Sequence, residues 1–498
     1  MRILALTALV VFFWTPGAEA ACSGGGQTWS CTTGTTSSEL SSTLGSASDG
    51  ATLTFAPGSY SWNAFVNFSN TKGASLVCQS PGACNVAVSG NVLGMNGSLS
   101  GTNNHFYRIS GFAFSGGNNF VIWFYGPGVM TNVRIDHNSF TGQNPGSTLI
   151  FFGENSTIAY FYGLVDHNTV TNASSVALAQ MVGAATTTAP VGTRGTSNNM
   201  YFEDNTITIA TQTNAGLGCI DSWGGASIVW RYNTTTNCLV TSHGVSHAWG
   251  PVNWEVYGNR FIVDSGASSS FRDCWRCFHH QGSGEFLAFD NVFTASAGKS
   301  PEAISMTHYR SASPSAAGYS SAVGRCDGTS SNDGNRSGQL GYPCRRQPGR
   351  DANGTLQPMY VWLNRWSIDG SLVRMVVENP WGATNPGVSD HVAADRDYYN
   401  AVSASAQSSP TGPFNATTGM GFGILANRPP SCTTGAAADA GRGGVGYWAT
   451  DQGRLYRCSA TNTWTLHYTP FAYPHPLQAG GPPPVPAPSA PLSLRILS

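Results

Sequence analysis

The chain is poor in charge: only 10% of its 498 residues are Asp, Glu, Lys or Arg, and the formal net charge is −1. Lysine is nearly absent, with Lys72 and Lys299 the two examples, so positive charge is almost all arginine. Nucleic acid and anionic membranes both call for a basic stripe, so neither fits as the main partner. Beyond residue 20 the sequence also lacks any apolar run long enough to span a bilayer as a helix. What it has instead is Gly at 60 positions, with abundant Ser, Thr and Asn. That is the neutral, hydroxyl- and amide-rich surface common among extracellular β proteins.

Residues 1–20 read as a secretory signal: Arg2, an apolar stretch from Ile3 to Trp14, then Ala18-Glu19-Ala20 as a small-residue cleavage site. An uncleaved anchor is the weaker reading because that stretch is short. A lipoprotein reading of Cys22 fails on Glu19, which stands where a lipid-attachment motif wants an aliphatic residue. The expected location is secreted, extracellular or cell-surface. The 12 cysteines suit an oxidising compartment. Pairing sequence neighbours gives Cys22 with Cys31, Cys78 with Cys84, Cys219 with Cys238, Cys274 with Cys277, Cys326 with Cys344, and Cys432 with Cys458, though spacing alone leaves other connectivities open. The CxxC at Cys274–Cys277 has no second CxxC to complete a zinc site, and a structural loop staple is favoured over a redox pair.

One phrase recurs, an alternating apolar run followed by Asn: VRIDHNSF, GLVDHNTV, MYFEDNTI, IVWRYNTT, WEVYGNRF and FLAFDNVF. The asparagines are Asn138, Asn168, Asn205, Asn233, Asn259 and Asn291, and MYVWLNRWSI with Asn364 is a further copy. Short period-2 runs with a turn residue at fixed phase and variable insertions predict a stacked β-solenoid. Ile109, Phe112, Phe114, Ile135 and Phe140 are expected to stack coil on coil. The Asn itself is read as the left-handed turn residue, its amide bonding along the turn. Large insertions after Asn168 (174–199) and Asn259 (264–284) are expected to project from one side of the stack, often the binding side.

Taken in order, residues 21–50 form an N-terminal cap that covers the open strand edge. Residues 51–399 form the solenoid, interrupted near 310–353 by a loop stapled through Cys326 and Cys344. Residues 400–477 make a small C-terminal β module, and 478–498 a Pro-rich extended tail. Within the stapled loop Asp327, Asp333 and Asn335 are possible Ca²⁺ ligands, although an ordinary loop is the preferred reading. No cofactor is identified otherwise.

The phrases ATLTFAPGSY, HG…WEVYGNRF, CDGT…DGN…GYPC, DYY and YPHPL resemble the secreted right-handed parallel β-helix proteins of the pectin-lyase-like superfamily. The resemblance runs from about Ala51 to Leu477. It implies an all-β, right-handed single-stranded parallel β-helix with an N-terminal cap and a small C-terminal β module. That superfamily includes polysaccharide lyases, glycoside hydrolases, phage tailspikes and adhesins, so fold does not settle function. VRIDHN and GLVDHN look like a pectate lyase strand in which a nearby Asp helps bind Ca²⁺. The RxPxxR signature of those enzymes is missing, since Arg346-Gln347-Pro348-Gly349-Arg350 has the wrong spacing. The paired-Asp strand of polygalacturonases is missing too.

The remaining chemistry gathers between the fourth and sixth copies. Asp221, His243, His247, Glu255, Arg272, Asp273, His279 and His280 are the candidate catalytic residues. Trp223, Trp249, Arg276, His308 and Arg310 are candidates for substrate binding. Stacking brings residues some 25 apart to within one strand spacing, roughly 4.8 Å, so these could line one groove. An Arg or His would be the base of a lyase, and Asp221, Glu255 or Asp273 the carboxylates of a hydrolase. Zinc held by His243, His247, His279 and His280 is a weaker reading, because the HxxxH spacing needs a helix. The Asp136-His137 and Asp166-His167 pairs read as turn elements. The expected function is a carbohydrate-active lyase or hydrolase acting on an extracellular polysaccharide, with a non-catalytic glycan-binding or structural surface protein as the alternative.

Overall fold

The computed structural model describes residues 21–90, 92–96, 101–117, 120–126, 128–153, 159–183, 193–212, 218–242, 251–269, 271–280, 285–306, 348–349, 356–378, 392–402, 405–434 and 443–480. The chain is a parallel β-helix of three long sheets, here A, B and C, with 13, 10 and 10 strands. Each coil visits A, B and C in turn. One such coil runs Gly128–Asp136, Ser139–Thr141 and Thr148–Phe152, and the next begins at Ala159–Asp166, which pairs in parallel with Gly128–Asp136. At the N-terminus an antiparallel hairpin, Cys22–Gly25 with Thr28–Cys31, and a helix, Ser37–Ser46, cover the first coil. The helix starts at a capping box in which Thr36 and Glu39 satisfy each other's backbone N–H groups.

Like residues stack along the core. Ile109 pairs with Ile135, and the rings of Phe114 and Phe140 stack at 5.3 Å and those of Phe124 and Phe152 at 5.9 Å. The inward rows are fully buried, Phe112 included.

The asparagines form a continuous ladder. Asn138 donates its backbone N–H and its Nδ2–H to Asn168 Oδ1 at 3.0 and 3.1 Å. The pattern repeats through Asn205, Asn233, Asn259 and Asn291 to Asn364. Each Nδ2 also donates to a carbonyl of the preceding coil, as Asn138 does to Ile109 O at 3.0 Å. The left-handed turn residue, however, is the one before each Asn. His137, His167, Asp204, Tyr232, Gly258, Asp290 and Leu363 have φ between 54° and 68°. The Asn side chain is committed to the ladder, so its neighbour absorbs the turn, whatever residue it is.

Five of the expected disulfides are formed, linking Cys22–Cys31, Cys78–Cys84, Cys219–Cys238, Cys274–Cys277 and Cys432–Cys458. Cys326, Cys344 and the Ca²⁺ candidates Asp327, Asp333 and Asn335 lie outside the described residues. The expected insertions are not single loops on one side: the first contains the sheet C strand Ala177–Val182 and the second the sheet C strand Phe278–His280, with 193–199 on the passage from C to A and 264–269 and 271–277 on the passage from B to C.

A four-stranded sheet follows the solenoid: Met420–Gly423, Gly446–Ala449, Arg454–Ala460 and Thr463–Tyr468. It packs on the outer face of sheet A, where Tyr201, Tyr257, Phe289, Tyr360 and Trp362 meet Trp448 and Tyr468 in one apolar cluster. From Tyr468 the chain runs back along sheet A as a strap. Arg231 donates to Phe471 O and Ala472 O at 2.9 and 2.8 Å, Glu203 accepts from the His475 N–H at 2.9 Å, and Arg134 donates to Leu477 O at 3.0 Å.

Candidate functional site

Strands of sheet C alternate faces at every residue. Ile220, Val240, Phe278 and Ile304 fill the core. Their successors form an outward row through Trp123, Phe151, Gln180, Asp221, Thr241, His279 and Ser305. A second outward row holds Tyr125, Val182 and Trp223. One end of this face is aromatic. Phe120 stacks on Phe151 at 4.3 Å, Trp123 stacks on Tyr125 at 4.1 Å, and Trp223 lies 6.3 Å from Phe151. Phe120, Trp123 and Tyr125 are only half-buried, so their rings meet solvent. The other end is polar and closed over, with Asp221, Thr241 and His279 all buried.

Asp221 and His279 therefore share a row, two strand spacings apart, about 9.6 Å along the stack. Burial, with Arg276 and then His280 nearby, holds the His279 imidazole well below its usual pKa, so the ring is neutral. Arg276 lies over the Trp275 ring at 4.1 Å and pairs with Glu378, Nε to Oε2 at 2.9 Å. Trp275 donates its indole N–H to Glu302.

The other predicted site residues go elsewhere. His280 follows His279 directly and so points the opposite way, into the core. It stacks on Phe286 at 5.1 Å, Nδ1 meets Ser242 Oγ at 3.2 Å, and burial drives its pKa down to about 3. Glu255 belongs to the outer row of sheet A, beneath the C-terminal sheet, where Tyr468, the Gly195 N–H and Asn253 all donate to it. Burial raises its pKa. Arg272 is exposed and donates to Ala267 O at 2.9 Å, and Asp273 accepts the Trp275 N–H at 3.0 Å, so both serve the disulfide-stapled loop. His243, His247, Trp249, His308 and Arg310 lie outside the described residues. The zinc set of the sequence reading loses His280, which is turned inward, and among the described residues no group of three His, Cys, Asp or Glu side chains comes together to hold a metal.

No protein-family model matches the chain, and no curated protein matches its sequence. Two solved structures are similar to it. One is a PL6 family polysaccharide lyase from Pseudopedobacter saltans, with 11% identity and a TM-score of 0.36 over 82% of this chain and 88% of that one. The other is the PL6 family alginate lyase AlyGC, with 14% identity and a TM-score of 0.29 over 54% of this chain and 40% of that one. Likeness of that degree carries no substrate or activity from one chain to another.

Sequence reasoning missed Phe120, Trp123 and Tyr125. The run NNFVIWFY alternates, and its outward members are aromatic, which was the available signal. Sheet C also separates its carboxylates. Asp221 and Glu378 stand four strand spacings apart, about 19 Å along the stack, beyond the ~5–9.5 Å of a glycosidase pair.

Proposed function

We propose that this protein binds an extended polysaccharide along the outer face of sheet C. The half-buried aromatic platform of Phe120, Trp123 and Tyr125, on the same face as the Asp221–His279 row, carries the reading. Flat aromatic faces pack against the C–H faces of sugar rings, and Gln180 beside them offers amide hydrogen bonds. The open part of the row, from Trp123 to Gln180, spans two strand spacings, about 9.6 Å. That suits about two sugars of a chain lying along the stack, with the Asp221–His279 end closed over beyond them. Affinity electrophoresis against a panel of neutral and acidic polysaccharides tests this. Retardation by at least one of them, weakened by Trp123→Ala, is expected, and a variant that binds every polysaccharide as the parent does would overturn the reading.

A second reading is cleavage, which the shared row of Asp221 and His279 favours. A neutral imidazole can take the proton α to a uronate carboxylate as the glycosidic C–O bond breaks and the departing oxygen takes a proton from water, with Asp221 two strand spacings away. The wide separation of Asp221 and Glu378 points to elimination over hydrolysis. Unsaturated product ends, read by ultraviolet absorbance and lost in His279→Ala, would support it. Reducing ends formed without unsaturation would contradict it.

A further inference from the structure

A cleft of about 390 Å³ opens where the strap passes the start of the sheet A strands, lined by Asn104, Asn132, Tyr162, Asn198, Phe471 and His475 among others. None of its lining residues is Asp, Glu, Lys or Arg. We propose that this cleft is a binding site for a short neutral saccharide, separate from the face of sheet C.

His475 supplies the main observation. It is 5% exposed, and its Nδ1 accepts the Leu477 backbone N–H at 3.1 Å. The proton of the neutral ring is therefore on Nε2, and that buried donor has no partner among the described residues. Buried donors are almost always satisfied; this one lies on a ring that lines the cleft and is closed to solvent, so a ligand reaches it as the lining yields. Burial, then Arg231, drives the ring's pKa down to about 4, so it stays neutral at ordinary pH.

The neighbours fit sugar hydroxyls. Asn132 spends Nδ2 on Asn104 O at 2.7 Å, which leaves Oδ1 to accept. Asn104 Oδ1 accepts from the Thr131 hydroxyl at 2.9 Å, which leaves its Nδ2 to donate. Burial pushes the Tyr162 phenol up to about 12, so it too is a neutral hydrogen-bonding group. Phe471 and Tyr162 bring aromatic surface. Donors, acceptors and rings without a charge select hydroxyls over carboxylates or phosphates. The lining spans four successive coils, three strand spacings or about 14 Å, room for a short oligosaccharide.

The experiment is calorimetric titration of the full chain with neutral oligosaccharides (gluco-, xylo- and manno-series) and with oligouronates. Asn198→Ala removes an exposed side chain, and Asn132→Ala removes an acceptor. Expected is binding of at least one neutral oligosaccharide at a site that is weakened about tenfold by each cleft variant and retained in Trp123→Ala. No neutral oligosaccharide bound, or binding indifferent to both cleft variants, would overturn the site. Binding abolished by Trp123→Ala would overturn it as well, by moving the ligand to sheet C. Because Trp123 alone reports on sheet C, failure here is distinguishable from failure of the polysaccharide reading.

Discussion

Tyr468 donates its hydroxyl hydrogen to Glu255 at 2.5 Å, joining the last strand of the C-terminal sheet to the middle of sheet A. Both groups are buried, and the contact closes 213 residues of chain. Along the same face Arg231 pairs with Glu203 and Arg134 with Asp166, and each arginine also holds a strap carbonyl. The C-terminal segment is thus fastened to the solenoid by buried ions as well as by its apolar cluster.

Removing the donor, Tyr468→Phe, should cost roughly 1–3 kcal/mol, the penalty for an unsatisfied buried acceptor. The pH dependence has a definite sign. Burial raises the Glu255 pKa in the folded state, so its favourable contribution is complete below the unfolded value near 4.5 and is lost as pH rises through the folded one. Tyr468 opposes that shift, so the variant should lose most at neutral and higher pH. Calorimetric melting midpoints from acid to neutral pH check this, and a gap independent of pH would contradict it.

Arg231 is fully buried, bonds Glu203 through Nε at 2.6 Å and holds two strap carbonyls. Arg231→Met strands the Glu203 charge and should cost about 3–5 kcal/mol, whereas Arg231→Met with Glu203→Met should recover much of that loss. Limited proteolysis supplies a second readout: the single variant should be cut within 468–480 faster than the parent. Equal stability of single and double variants would show that the pair is not coupled.

The fold was legible because one residue type recurs at a fixed phase, and a stacked ladder needs that residue at every rung. The turn conformation was not, since His, Asp, Tyr, Gly and Leu all occupy the left-handed position and share no signature. The candidate cluster dissolved because each coil has three faces. Glu255 and His279 are close in sequence but belong to sheets A and C, and His279 and His280 point to opposite sides of one strand. The strap left no local pattern, as its contacts reach across up to 344 residues. A trace did exist: Arg134 and Glu255 stand four residues before a ladder Asn, while Asp136, Asp166, Glu203 and Arg231 stand two before. Charges at outward phases of a sheet otherwise poor in charge mark a covered face.

Cutting the ladder at mid-stack should destabilise more than its single hydrogen bonds suggest. Asn233→Ala removes the acceptor for the Asn205 backbone N–H and Nδ2–H and the donor to Phe202 O, all buried. With three partners orphaned, a loss of about 2–4 kcal/mol is expected, read from the urea midpoint. Leu363→Gly should by contrast relieve left-handed strain, offset by loss of Leu363 packing against the C-terminal cluster, and so stay within about 1 kcal/mol of the parent. Near-equal midpoints for the two variants would mean that the ladder adds little beyond the turn.

The two adjacent histidines should separate cleanly. His280 faces the core beside Phe286 and Trp254, with Nε2 unpartnered among the described residues, so His280→Phe should be tolerated or stabilise by up to about 1 kcal/mol. Its folded pKa, about 3, lies below the unfolded value near 6.5. The stability it contributes is therefore complete above pH ~6.5 and is lost as pH falls toward ~3, because the unfolded chain takes the proton first. His280→Phe should flatten that acid slope and leave polysaccharide retardation unchanged. His279→Ala should alter retardation by disturbing the closed polar end of the outer face, which it shares with Asp221. Urea melts at stepped pH and affinity electrophoresis of the two variants decide the matter. If His280→Phe weakens binding as much as His279→Ala, the assignment of the two rings to opposite faces fails.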